Sequence, residues 1–159
     1  MTTDAYLADW TRIDVDALFE LLSDAFEWQR SRIDPPSSLH SLTPGDLARK
    51  AEAEDVFLIG EPVEGCLFGD LRGAVYHLSK WAVCPTAQGK GHGRSMLAVA
   101  QKRARNLGAA RLRLGTRIEL LPNHRRFRAL GFEMRGAQRH SGFTRPTSLI
   151  FEMQVPRSN

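Results

Sequence analysis

Between Trp81 and Gly93 the chain passes from an aliphatic stretch (Trp81-Ala82-Val83-Cys84) through Pro85 into three glycines at alternate positions, Gly89, Gly91 and Gly93, and a helical pattern starts at once. A strand that feeds a glycine-rich turn and then a helix leaves unpaired backbone N–H groups at the positive end of the helix dipole. That combination is an anion site, and the ligand expected there carries phosphate. Few folds place such a turn in mid-chain.

Spacing removes two familiar phosphate loops. Gly89-Lys90 is followed by Gly91 where a P-loop needs Ser or Thr, and no glycine stands at the earlier offset. A dinucleotide fingerprint needs GxGxxG near the start of a parallel sheet, whereas these glycines are two apart and several strands precede them.

Those preceding strands are read at residues 55–60, 65–70 and 74–83, separated by Glu61-Pro62 and Arg72-Gly73, and they form an antiparallel meander. Before them, 6–13 reads as a first strand. Asp14 caps a helix with Val15, Leu18, Phe19, Leu22, Ala25 and Phe26 on one face. Residues 32–42 read as a loop, and Thr43-Pro44 opens a second helix with Leu47 and Ala51 inward. After the glycines, Met96, Leu97, Ala100, Ala104 and Leu107 line a third helix that Gly108 ends. Leu112 and Leu114 alternate with Arg111 and Arg113 in a strand parallel to 74–83 through a right-handed crossover. Residues 122–130 form a short helix closed by Gly131, and strands follow from Phe132 and over 148–155. The expected fold is α/β, one domain over 1–159, with a mixed twisted sheet of six or seven strands and four helices.

No apolar run approaches the ~20 residues of a membrane span, and the amino terminus, with Asp4 and Asp9, lacks a secretory pattern. A cytoplasmic location without membrane contact is expected. Cys66 and Cys84 lack CxxC spacing and read as reduced thiols, with no metal site implied. Residues 1–100 hold 9 basic and 15 acidic side chains, net −6; residues 101–159 hold 13 and 3, net +10. The basic half is rich in dispersed Arg without interleaved aromatics, which argues against a nucleic-acid surface and for an anionic ligand plus a solvated face.

The pattern Gln88-x-x-Gly91-x-Gly93, its aliphatic lead-in, and the later Leu121-Pro122-Asn123 with Phe127-Arg128-Ala129-Leu130-Gly131-Phe132 resemble the GCN5-related N-acetyltransferase (GNAT) family along almost the whole chain. The resemblance implies a splayed parallel pair, 74–84 and 111–116, that admits acetyl-coenzyme A. The pantetheine arm then pairs with backbone around Trp81, Ala82 and Val83. The pyrophosphate rests on N–H groups of Gln88, Gly89, Lys90, Gly91, His92, Gly93 and Arg94, and Asn123 hydrogen-bonds the coenzyme. The implied reaction is direct attack of a primary amine, from a small molecule, amino acid or peptide, on the thioester carbonyl in a ternary complex, with backbone N–H near Ala82 or Val83 holding the oxygen.

The resemblance also implies a base: His77 lies five residues before Ala82, where histone-acetyltransferase-like members of the family carry a glutamate base, and as an imidazole that titrates near neutrality it is the first candidate to deprotonate the amine. Glu119 is the alternative. Family members usually carry a tyrosine four residues before the glycine of "LGF", as proton donor to the thiolate; here that residue is Phe127, which has no proton to give and is expected to pack against the cofactor arm. The acceptor pocket is expected from Phe26, Trp28, Arg30, Arg32, Asp34 and His40, and from His140, Phe143, Thr144 and Arg145. The missing tyrosine keeps open a non-catalytic acyl-coenzyme A sensor, and the basic half a nucleic-acid-binding module. Residues 132–155 offer strands for a homodimer.

Overall fold

The computed structural model describes residues 4–37 and 41–157. It holds β1 (Tyr6–Leu7), α1 (Val15–Phe26), α2 (Pro44–Ala53), β2 (Asp55–Ile59), β3 (Gly65–Arg72), β4 (Val75–Val83), α3 (His92–Asn106), β5 (Arg111–Arg117), α4 (Leu121–Ala129), β6 (Glu133–Gln138) and β7 (Ser148–Gln154). One sheet carries the strands in the order β1-β2-β3-β4-β5-β7-β6, and β4·β5 is its parallel pair. This is the GNAT architecture expected above.

Local chemistry sets the helix starts. Asp14 accepts from the Ala17 N–H at 3.1 Å, and the helix it opens buries Leu18, Leu21, Leu22 and Ala25. Thr43 and Asp46 cap each other reciprocally, the Asp46 N–H donating to Thr43 Oγ1 at 3.1 Å and the Thr43 N–H to Asp46 Oδ2 at 3.0 Å, with Pro44 at the first helical position. Such a cap is worth about 1 kcal/mol.

The strand expected over 6–13 is shorter than the sequence suggests. Tyr6 and Leu7 pair with β2, the Ala8 N–H adds a last bond to the Val56 carbonyl at 2.8 Å, and Trp10–Arg12 winds into a 3-10 turn. The cause is Asp9, whose carboxylate accepts from both the N–H and the hydroxyl of Thr11 and so bends the chain away from the sheet.

Two apolar layers sandwich the sheet. Phe57, Ile59, Leu67, Tyr76 and Leu78 pack under Met96, Leu97 and Ala100 of α3, while Val56, Leu58, Cys66, Phe68 and Ala82 pack under Leu18, Leu22 and Leu47 of α1 and α2. In β4 the two faces exchange partway along: Tyr76 and Leu78 share the α3 face with Trp81 and Val83, whereas Ala82 lies on the other. An extra residue is the reason. Cys66 pairs with Ala82 but Phe68 with Ser79, so one residue of β3, Leu67, faces two of β4, Lys80 and Trp81, and Lys80 sits at φ +51°.

β4 has already left β5 when that bulge is reached. The two pair only through Val75↔Arg111, Tyr76↔Leu112 and His77↔Arg113, while β5 stays on β7 as far as Arg117↔Ser148. A wedge opens between the strands from Leu78 onward.

Candidate functional site

Two adjoining cavities fill this wedge. The first, about 270 Å³, lies between the second half of β4, the glycine turn, α4 and the end of α1. The second, about 320 Å³, lies between Leu78–Trp81 of β4 and 114–117 of β5. Phe26, Gln29, Trp81, Asn123 and Phe127 line both and form the junction.

The wall of the first cavity is built for an anion at one end. Gly89 at φ +87° and Gly91 at φ +82° hold a backbone that L side chains resist, and Gly91 is the N-cap of α3 with no side chain to occupy its donors. The first intrahelical bond runs from the Ser95 N–H to the Gly91 carbonyl at 3.0 Å, so the N–H groups of His92, Gly93 and Arg94 precede the helical ladder. A Cβ on Gly93 would stand 3.8 Å from Trp81 Nε1. The Glu64 carboxylate buttresses the turn from beneath, with Oε1 2.9 Å from His92 Nε2 and Oε2 3.4 Å from Lys90 Nζ. These two contacts, the His92 hydrogen bond foremost, hold the Glu64 carboxyl below the usual carboxylate range.

The opposite wall is an open strand edge. The Cys84 N–H donates to the Glu64 carbonyl at 2.7 Å on the β3 side. Alternation along a strand therefore turns the Val83 N–H toward the wedge.

Eleven of the twelve residues expected around the cofactor line this cavity: Trp81, Ala82, Val83, Gln88, Gly89, Gly91, His92, Gly93, Arg94, Asn123 and Phe127. The twelfth, Lys90, lies outside the lining on Glu64. Phe127 stacks on Trp81 with ring centroids 5.7 Å apart and packs against Phe132 and Phe151 at 6.1 and 5.8 Å. Asn123 Nδ2 donates to Thr116 Oγ1 at 3.2 Å, which fixes its amide between the two cavities.

His77 is not brought to this site. It lies on the last paired rung, opposite Asp70 and Arg113, and lines neither cavity. Burial, then the Arg72 and Arg113 guanidiniums, lower its pKa. A base must reach the amine, and the zipped end of β4·β5 withholds this one. Glu119 also stays out of the lining: Oε2 accepts from the Asp34 N–H at 3.0 Å, and Oε1 is buried with no hydrogen-bond partner. Cys66 is buried, its thiol pushed up to about 12 by burial, which leaves it inert; Cys84 is the second free thiol.

Of the residues expected for the acceptor pocket, Phe26 and Trp28 line a cavity, while Arg30, Arg32, Asp34, His140, Phe143, Thr144 and Arg145 line neither of the two. His40 falls outside the described residues. Gln29, Ser79, Lys80, Thr116, Arg117 and Ser148 line the second cavity without having been singled out in the sequence. Alternation along 111–117 carried the signal for Thr116; nothing local announces Lys80.

Among curated protein sequences none matches this chain. The model of the acetyltransferase (GNAT) family matches residues 15–132. Among solved structures, PaiA N-acetyltransferase from Thermoplasma acidophilum, in complex with coenzyme A, superposes with a TM-score of 0.78 at 14% identity over 97% of this chain and 99% of that one. The ribosomal-protein-S18-alanine N-acetyltransferase of Escherichia coli gives 0.72 at 18% over 99% and 97%. The IAA acetyltransferase of Bacillus cereus gives 0.68 at 17% over 97% and 100%. With a family match over most of its length and the family's wedge in its sheet, this chain belongs to the GNAT acetyltransferases.

Proposed function

We propose that the protein moves an acetyl group from acetyl-coenzyme A to a primary amine, with the donor in the first cavity and the acceptor in the second. The observation that carries this reading is the continuity of three features along one wall: a side-chain-free helix N-terminus, an unpaired strand edge, and a junction that opens into a second cavity. They suit in turn a pyrophosphate, an amide-bearing arm and a reacting carbonyl.

The donor supplies an activated thioester. The chain's part is to hold it and orient it. N–H groups of Gln88–Arg94 and the helix dipole take the phosphate charge, and Arg94 and Arg126 in the same wall add cations. The Val83 N–H at the open edge can donate to a carbonyl oxygen in a site that Trp81, Phe127 and Phe26 keep poor in water, where such a bond is strongest. Phe127 contributes surface but no proton, so the proton that the leaving thiolate takes up comes from water or from a different side chain, or the thiolate leaves without an acid.

Calorimetry with acetyl-coenzyme A and a thiol-release assay over a panel of amines test this. Gly91→Glu places an anion in the cradle and is expected to weaken donor binding at least ~100-fold, about 2.7 kcal/mol. Unchanged affinity refutes the placement. Phe127 favours one second reading, a sensor that binds the donor without turnover; tight binding with no thiol release from any amine would establish it.

A further inference from the structure

The second cavity is a cationic chamber. Lys80 and Arg117 line it from its two strands, and neither Asp nor Glu is among the lining residues described. The Arg117 guanidinium donates to two neutral acceptors, the Pro35 carbonyl at 2.6 Å and the Pro36 carbonyl at 3.2 Å, and among the described residues no carboxylate comes within 4.0 Å of it or of the Lys80 ammonium. Both charges are thus partly withdrawn from water without a contacting carboxylate, the nearby Glu54 being paired to Lys50 at 2.8 Å. Burial lowers the Lys80 pKa and the nearby Lys50 adds to the effect, outweighing the opposing pull of the Glu54 carboxylate. An uncompensated cation in such a place is costly, and the cost falls when an anion enters. Hydroxyls of Ser79, Thr116 and Ser148 in the same lining offer further donors.

Resting on the acetyltransferase reading above, we infer that the acceptor is a small amine that also carries a carboxylate, an amino acid rather than a polyamine or a neutral amine, with the carboxylate on Lys80 and Arg117. The volume of about 320 Å³ sits at the low end for ligand pockets and suits a molecule of that size. Its amine is then left for the junction at Trp81, Asn123 and Phe127, where the two cavities meet. A polyamine brings only cations, which this lining repels.

The test has two arms. In the first, thiol release is followed with free α-amino acids and their α-amides; the acid of the best pair is expected to exceed its amide at least tenfold in kcat/KM. Lys80→Met and Arg117→Gln should each bring the ratio near one through KM, while Arg117→Lys, which keeps the charge, should retain most of it. In the second, the protein saturated with coenzyme A is titrated calorimetrically with the N-acetyl amino acids and their amides, a readout that needs no turnover. Tighter binding of the acids, lost in Lys80→Met, supports the proposal even if no amine is acetylated. Equal or better use and binding of the amides overturns it, as does a Lys80→Met variant that loses kcat for acid and amide alike, which would make Lys80 a base. Failure of acetyl-coenzyme A to bind the wild-type protein refutes the acetyltransferase reading instead.

Discussion

Gly69→Ala tests whether the zipped end of β4·β5 is fixed as tightly as the packing implies. Gly69 lies in β3 opposite Leu78, and a Cβ built on it would fall 2.3 Å from Tyr76 Oη, 2.4 Å from Cζ and 2.5 Å from Cε2. No real Cβ contact is that short. Tyr76 cannot simply swing aside: it is fully buried, its hydroxyl donates to Asp55 Oδ2 at 2.7 Å, and the Arg103 Nε donates to the same oxygen at 3.0 Å. Overpacking costs about 1–3 kcal/mol, and displacing the phenol from Asp55 adds about 1 kcal/mol. The sum, ~2–4 kcal/mol, corresponds to a fall in Tm of roughly 5–15 °C for a chain of this length. Urea unfolding measures it directly, and Tyr76→Ala supplies the control. Alone that truncation costs about 3–5 kcal/mol, but it also removes the clashing ring. The double variant should therefore lose ~1–3 kcal/mol less than the two single losses summed. Strict additivity would mean that the sheet accommodates the Cβ by moving, and would refute the argument that Tyr76 and Gly69 are a matched pair.

Two further outcomes follow from particular contacts. Thr43→Ala removes the hydroxyl half of the cap on α2, leaving the bond from the backbone N–H of residue 43 to Asp46, and should cost about 1 kcal/mol by urea unfolding at neutral pH. The Thr43 N–H and hydroxyl, then Arg49, hold the Asp46 carboxyl below its ordinary value, so its contribution is present above that ordinary value and is lost as pH falls through the lowered one. The variant's deficit should shrink over that acid window, and a deficit independent of pH there would contradict the assignment. Phe127→Tyr places a phenol on the face of Trp81 at the junction and is expected to raise kcat up to about tenfold with donor affinity unchanged, as measured by steady-state kinetics and calorimetry; a fall in kcat would show that the apolar face, rather than a missing proton donor, governs the step.

The elements most legible in the sequence are those whose signal is local. Asp14, Thr43-Pro44 and the Gly89–Gly93 turn each mark a helix start by the chemistry of a few adjacent residues, and each stands where expected. The alternation of Arg111, Leu112, Arg113 and Leu114 reports a strand with one buried face, and both leucines are buried while Arg111 is exposed and Arg113 half-buried. The cofactor wall was readable for the same reason, being nearly contiguous in the chain. The second cavity was not: it is assembled from the second half of β4, the far end of β5, the first residue of β7 and the turn after α1, segments up to about 120 positions apart. Arg145, singled out by its type, instead comes within 3.9 Å of Asp34.

The residue with the widest consequence is the one no pattern marks. A regular β4 would keep Tyr76, Leu78, Lys80 and Ala82 on a single face. The extra residue at Lys80 moves Trp81 and Val83 onto the α3 face instead, where Trp81 meets Phe127 and Phe132. It lies within the wedge, where β4 has already left β5, and it sets a lysine in the lining of the second cavity. His77 lies before this point and Ala82 after it, so counting five residues between them measures distance along a strand that bends in the interval. The count put a base in the cleft; His77 instead lies where the strands are still paired, and Lys80 is the titratable side chain of β4 that lines the second cavity.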